Sequence, residues 1–240
     1  MTQLFSDNGQ QTILKTRSPL LLADGTAEAL KWLALALMVL DHVNKYLYHS
    51  ALPWVFPIAR LSFPLFGFVL AYNLARPETI SNGAAVRVMK RLAIFALVAA
   101  IPHIILDGRF FPLNILATLL VATGTIYLLE QGGLKRWLGI LVFMAGGCIA
   151  EGNWFAVAVC MTAYRYCQSP TALRLSLFMA ALVVLGLFIN TNQWALAVLP
   201  VILIAPHVGI SLKRQRHFFY GFYPAHLAVI LLVRAAIGVY

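Results

Sequence analysis

The chain has 240 residues, 61% of them hydrophobic and 11% charged, against roughly 45–50% apolar and 25% charged in a typical soluble domain. That balance excludes a water-soluble globular protein. The net charge of +10 is scattered between apolar runs rather than gathered on one polar face, which makes it a marker of membrane topology and not of a nucleic-acid partner.

Taken in chain order, residues 1–27, with Ser6, Asp7, Asn8, Gly9 and Gln10, are polar and lack a basic stretch followed by an apolar one, so they are expected to form a cytoplasmic tail and not a signal peptide. Residues 28–240 are expected to form a single transmembrane domain. A bilayer core about 30 Å thick needs roughly 20 apolar residues per helix. The apolar runs predict about nine helices (eight to ten): 29–47, 55–75, 90–106, 112–130, 135–150, 153–167, 172–189, 192–206 and 218–239. The runs 135–150, 153–167 and 192–206 are short for a span and are expected to thin the bilayer locally or to join as re-entrant pairs. Lys and Arg are retained on the cytoplasmic side of short loops. With the N-terminus in the cytoplasm, all but Lys45, Arg60, Arg109 and Arg234 of the 18 Lys and Arg residues fall on that side. Lipid offers the backbone no hydrogen-bond partner, so the fold class is all-α, a polytopic transmembrane helix bundle. Trp32, Trp54, Trp137, Trp154 and Trp194 sit near span ends, as interfacial anchors do.

The three cysteines, Cys148, Cys160 and Cys167, form no C-x-x-C pair and have no His at ligand spacing, so they are expected to be small core residues and no metal is expected. There is no P-loop, dinucleotide fingerprint, G-x-S-x-G elbow or H-E-x-x-H. The chemistry must reside in polar groups within the apolar helices, each costing at least ~2.5–3.5 kcal/mol near the bilayer centre unless it faces protein or an aqueous cavity. They cluster at the outer ends: Asp41, His42, Asn44, Lys45 and His49 on the first helix, Arg60 and Ser62 on the second, His103 and Asp107 on the third, then Asn114, Glu151, Asn153, Asn190 and Asn192.

Asp41 beside His42 supplies the types needed for a general base and its orienting carboxylate. Neighbours on a helix point about 100° apart, however, and the alternative pairs Asp41 with Lys45 while His42 bonds a core carbonyl. Arg60 suits a carboxylate, a phosphate or an oxyanion, or a structural ion pair with Asp41 or Asp107. His226 follows Pro224, which removes a backbone bond, and lies deeper in the last helix. His207 and His217 flank the basic loop Lys213, Arg214 and Arg216, which can serve as a topology determinant or bind an anionic cofactor or lipid headgroup.

The run from Ala29 to Leu40-Asp41-His42 resembles the first helix of the TraX family of conjugation-associated membrane proteins. Three further blocks are similar to the family pattern: Arg60-Leu61-Ser62-Phe63-Pro64-Leu65-Phe66, Asn114-Ile115-Leu116-Ala117-Thr118, and Phe222-Tyr223-Pro224-Ala225-His226-Leu227. Where the family has an Asp-Tyr-Gly-like turn, this chain has Glu151-Gly152-Asn153-Trp154, which weakens any role for Glu151. The resemblance implies an acyltransferase of the inner membrane that takes acetyl from cytoplasmic acetyl-CoA to an amine or hydroxyl, such as a pilin N-terminus or an envelope glycan. His42, Asp41 and Arg60 would then be catalytic, with Asn114, Tyr223 and His226 contacting substrate in an open cavity. Two other readings compete. A small-solute or proton-coupled transporter would show broken helices in two related halves, and a purely structural protein would pair these charges with no cavity between them.

Overall fold

The structure, a computed structural model, describes residues 19–215 and 217–238. Most of the 1–27 tail and Arg216 of the basic loop lie outside the described residues. Among those described, every regular element is helical, and the single β feature is a parallel bridge between Leu113 and Ala150. The elements are α1 (Asp24–Leu47), α2 (Val55–Ala59), α3 (Ser62–Ala75), α4 (Ala84–Asp107), α5 (Ile115–Gln131), α6 (Gly133–Ile149), α7 (Asn153–Gln168), α8 (Ala172–Leu185, continued as a π turn over Gly186–Asn190), α9 (Val198–Ile204, between 3-10 turns Trp194–Ala197 and Ala205–His207) and α10 (Phe218–Ala236).

Four stretches are long and apolar enough to cross a membrane: Val55–Ala75, Ala84–Asp107, Ala172–Asn190 and Phe218–Ala236. Ile115–Gln131 and Trp194–His207 are apolar but shorter. Four expected outlines change, the first helix beginning at Asp24 and not at 29. The third expected run, here α4, starts at Ala84 and not at 90, so Arg87 rides on helix rather than loop, in line with Lys90 and Arg91. The run 192–206 is not one α-helix, because Pro200 and Pro206 lack the N–H that would continue it. The run 55–75 breaks at Arg60-Leu61. Pro64 cannot donate to the carbonyl four residues back, and its ring crowds that carbonyl, which belongs to Arg60.

The centre of the bundle is α3 against α7. Leu65, Phe68, Val157, Val159 and Cys160 are fully buried, and a Cβ on Gly67 would stand 3.0 Å from Cys160 Sγ. Cys160 and Cys167 are the small core residues expected, whereas Cys148 is exposed on α6, whose outward face also carries Leu134, Trp137 and Leu141. Leu97 and Ile101 of α4 and Leu232 of α10 are exposed as well, a surface suited to lipid and not to water. Trp154 is no free anchor: its ring lies on Gly147 and its indole N–H donates to Met144 O at 3.0 Å.

Polar contacts gather the helix ends into two groups. Arg76 pairs with Asp24, Leu20 N donates to Cys167 O, and Thr26 Oγ1 donates to Val208 O while accepting from Ile210 N. These join the start of α1 to the ends of α3 and α7 and to the loop before α10. At the other end, Lys45 meets Asp107, Asp41 meets Arg60, and Arg234 donates to Leu106 O.

Candidate functional site

At the Leu47 end of α1 a cavity of about 140 Å³ opens between α1, α3, α7, α8 and α10. Its polar lining comes from Asp41, His42, Arg60, Ser62, Glu151, Asn190 and Tyr223. Because Asp41 and His42 point in different directions around α1, they take different partners. The Asp41 carboxylate accepts from Arg60 Nη2 at 2.9 Å, and Lys45 goes to Asp107 instead. His42 turns to α10, where its Nδ1 lies 2.7 Å from His226 Nε2 with the two rings parallel to within 5°.

That contact, with the one behind it, fixes the tautomers. His226 Nδ1 is 3.1 Å from the Phe222 carbonyl oxygen, which can only accept, so Nδ1 carries the hydrogen. In a neutral ring Nε2 is then an acceptor, and His42 Nδ1–H must donate to it. His42 Nε2 is left with its lone pair. The arrangement provides a base whose second nitrogen is held by a hydrogen-bond relay ending on backbone. The group that holds the His42 ring is the buried His226 and not Asp41.

Arg60 stands at the break the Pro64 ring imposes, on the wall of the cavity, with Phe56 under its guanidinium at 4.5 Å from the ring centroid. Its Nη2 is committed to Asp41, while its buried Nε has no protein acceptor. An orphaned N–H of a cation beside a polar cavity is costly unless something there accepts from it. Ser62, two residues on, ties α3 to α1 by donating to Ala34 O at 2.8 Å.

Glu151, discounted on sequence grounds, lies in the cavity wall. The bridge Leu113 N to Ile149 O and Glu151 N to Leu113 O positions its backbone, and Thr118 Oγ1 donates to its carbonyl. Gly152 follows at φ +73°, where a Cβ would also meet Ala156 Cβ at 2.7 Å, so the turn requires glycine. Burial pushes the Glu151 carboxyl up to about 7, a rise opposed by Lys45 and reinforced by Asp107 and Asp41. Asn190 enters the wall from the π turn of α8. The signal for both was their presence as polar residues beside apolar runs. Asn114, expected to contact substrate, stands outside the lining. Its amide caps α5 by accepting from Leu116 N and ties α5 to α4 by donating to Ala96 O at 2.9 Å.

A second cavity, of about 340 Å³, opens toward the Asp24 end of α1. Lys31, Arg87, Arg91 and Arg214 line it, and its wall shares Met38, Phe66, Ile115 and Tyr223 with the first. The two cavities are thus separated by one layer of side chains, with His42 on one side and a group of cations on the other.

The TraX family model, described as TraX protein, matches residues 26–234. A Protein TraX of Escherichia coli is 29% identical over 226 residues, covering 89% of each chain, and one of Escherichia coli strain K12 is 28% identical with the same coverage. No solved structure matches significantly.

Proposed function

The chain belongs to the TraX family, and on that premise we propose that it is an integral membrane acetyltransferase carrying acetyl from acetyl-CoA to an amine or hydroxyl acceptor. The observation that carries the reading is the polar pocket in which a histidine with a free Nε2 stands with an arginine whose buried Nε–H has no acceptor. The acceptor's nitrogen or oxygen attacks the thioester carbonyl while His42 Nε2 takes its proton. The C–S bond breaks, acetyl stays on the acceptor, and coenzyme A leaves as a thiol with the proton returned by His42. Arg60 Nε–H donates to the carbonyl oxygen as it gains charge, a contribution typically worth about 10²–10³ in rate. Asp41 holds Arg60 in place, His226 holds His42, and Tyr223 closes the wall between the two cavities.

In this reading the helical passes, nine among the described residues with α2–α3 and the 194–207 stretch each counted once, cross the bacterial inner membrane with the N-terminus in the cytoplasm. The cationic cavity then faces the donor's compartment and the His42 cavity faces an acceptor already translocated, a pilin N-terminus or an envelope glycan. The test is transfer of radiolabelled acetyl from acetyl-CoA to endogenous acceptors in membranes with the wild type or His42→Ala at equal protein levels. Labelling that depends on the protein and disappears with His42→Ala is expected; no labelling above membranes lacking the protein refutes the proposal.

A transporter is the second reading, favoured by the two cavities lying back to back across a shared wall. It predicts solute or proton flux in proteoliposomes without acetyl-CoA, which the transferase does not produce.

A further inference from the structure

The cationic cavity is built for a ligand. Arg87 and Arg91 are one turn apart on α4 and face the same way, Lys31 comes from α1, and Arg214 from the loop before α10. Five ion pairs occur among the described residues; one ties Lys31 to Glu28, and none uses Arg87, Arg91 or Arg214. Like charges converging on one mouth repel, and a bound anion removes that cost.

The loop carrying Arg214 is fixed in advance. Gln215 N donates to Glu28 Oε1 at 3.1 Å, and Glu28 is only 1% exposed. Gly25 lets the loop lie so close that an added Cβ would stand 2.0 Å from Ile210 O. Tyr220 lines the same cavity as Arg91. Behind the cations the walls turn apolar, with Leu35, Val69, Leu70 and Leu119 leading to Met38, Phe66, Ile115 and Tyr223. The volume falls within the usual range for a small-molecule site, about 300–1,000 Å³.

We propose that this cavity binds a phosphorylated ligand, with Arg87, Arg91 and Arg214 on its phosphates and a slender arm in the apolar throat, and that Met38, Phe66, Ile115 and Tyr223 form the gate its reactive end must pass to reach His42. Guanidinium groups match phosphate oxygens two at a time, and the mouth-to-throat order fits a phosphate head followed by an uncharged chain. Identifying the ligand as coenzyme A rests on the acetyltransferase reading. The same phosphate chemistry is offered by an anionic lipid headgroup, so the test separates the two.

Binding of coenzyme A, of pantetheine, which has the arm without the phosphates, and of labelled phosphatidylglycerol is measured on the full chain in zwitterionic nanodiscs. Coenzyme A is expected to bind at least 10-fold more tightly than pantetheine, and Arg87→Gln with Arg91→Gln to weaken it at least 10-fold. Leu70→Trp, which keeps the charges and fills the throat, should weaken coenzyme A as much, and Arg214→Gln reports from the loop if the α4 variant is poorly folded. Binding of phosphatidylglycerol alone, lost in the arginine variants, supports the phosphate site and removes the transferase reading. Coenzyme A binding unchanged in all the arginine variants overturns the site even where acetyl transfer persists.

Discussion

Replacing His226 by alanine tests the orienting role of that ring. In the wild type His42 Nδ1–H has an acceptor 2.7 Å away, and that acceptor is set by a bond from its own Nδ1–H to Phe222 O. Truncation leaves His42 Nδ1–H without a partner in a half-buried position, a cost of about 1–3 kcal/mol. If the ring must be restored to its working orientation and tautomer before it accepts a proton, that cost enters the barrier, and at about 1.4 kcal/mol per tenfold acetyl transfer slows roughly 5- to 150-fold. His42→Ala removes the proposed base and is expected to cost more, about 10²–10⁴. His226→Gln, whose amide oxygen can accept from His42 Nδ1–H, should recover part of the rate. The assay is initial-rate acetyl transfer in membranes with matched protein levels. Rates for His226→Ala equal to the wild type, with His42→Ala inactive, would refute the relay; a His42→Ala enzyme faster than His226→Ala would reverse the two roles.

Arg60→Lys keeps a cation near Asp41 but removes the orphaned Nε–H, so kcat should fall about 100- to 1,000-fold with little change in KM; a change in KM alone would move Arg60 from the reacting carbonyl to ground-state binding. The raised pKa of Glu151, about 7 against an ordinary 4.5, means the folded state holds a proton that the unfolded state has lost between those values. Stability should therefore fall as pH rises from about 4.5 to 7 and level off above. Glu151→Gln should flatten that slope in thermal unfolding of detergent-solubilised protein from pH 5 to 8, and an unchanged slope would assign it to another group. Gly25→Ala inserts a methyl where Ile210 O already stands 2.0 Å from the Cβ position. It should cost about 1–3 kcal/mol and weaken coenzyme A binding through the displaced Arg214 loop while leaving the His42 contact with His226 intact. Equal binding by wild type and variant would detach that loop from the donor site.

What the sequence determined by itself was the solvent and the elements. Apolar runs with polar punctuation force helices in lipid because the backbone has no other partner, and polar residues within those runs must face protein or a cavity. That logic identified Asp41, His42, Arg60 and His226 from chain position alone, and the Pro64 ring accounts for a break at Arg60 by local sterics. It could not assign partners, since pairings across the bundle depend on how helices rotate about their axes. The tertiary structure gave Asp41 to Arg60 and His42 to His226, residues 19 and 184 positions apart. It also spent Asn114 on capping α5 and brought Glu151 into the wall through a bridge to Leu113. The cationic cavity was decided only there as well, because Lys31, Arg87, Arg91 and Arg214 lie on three separate segments and line one space only once the helices pack.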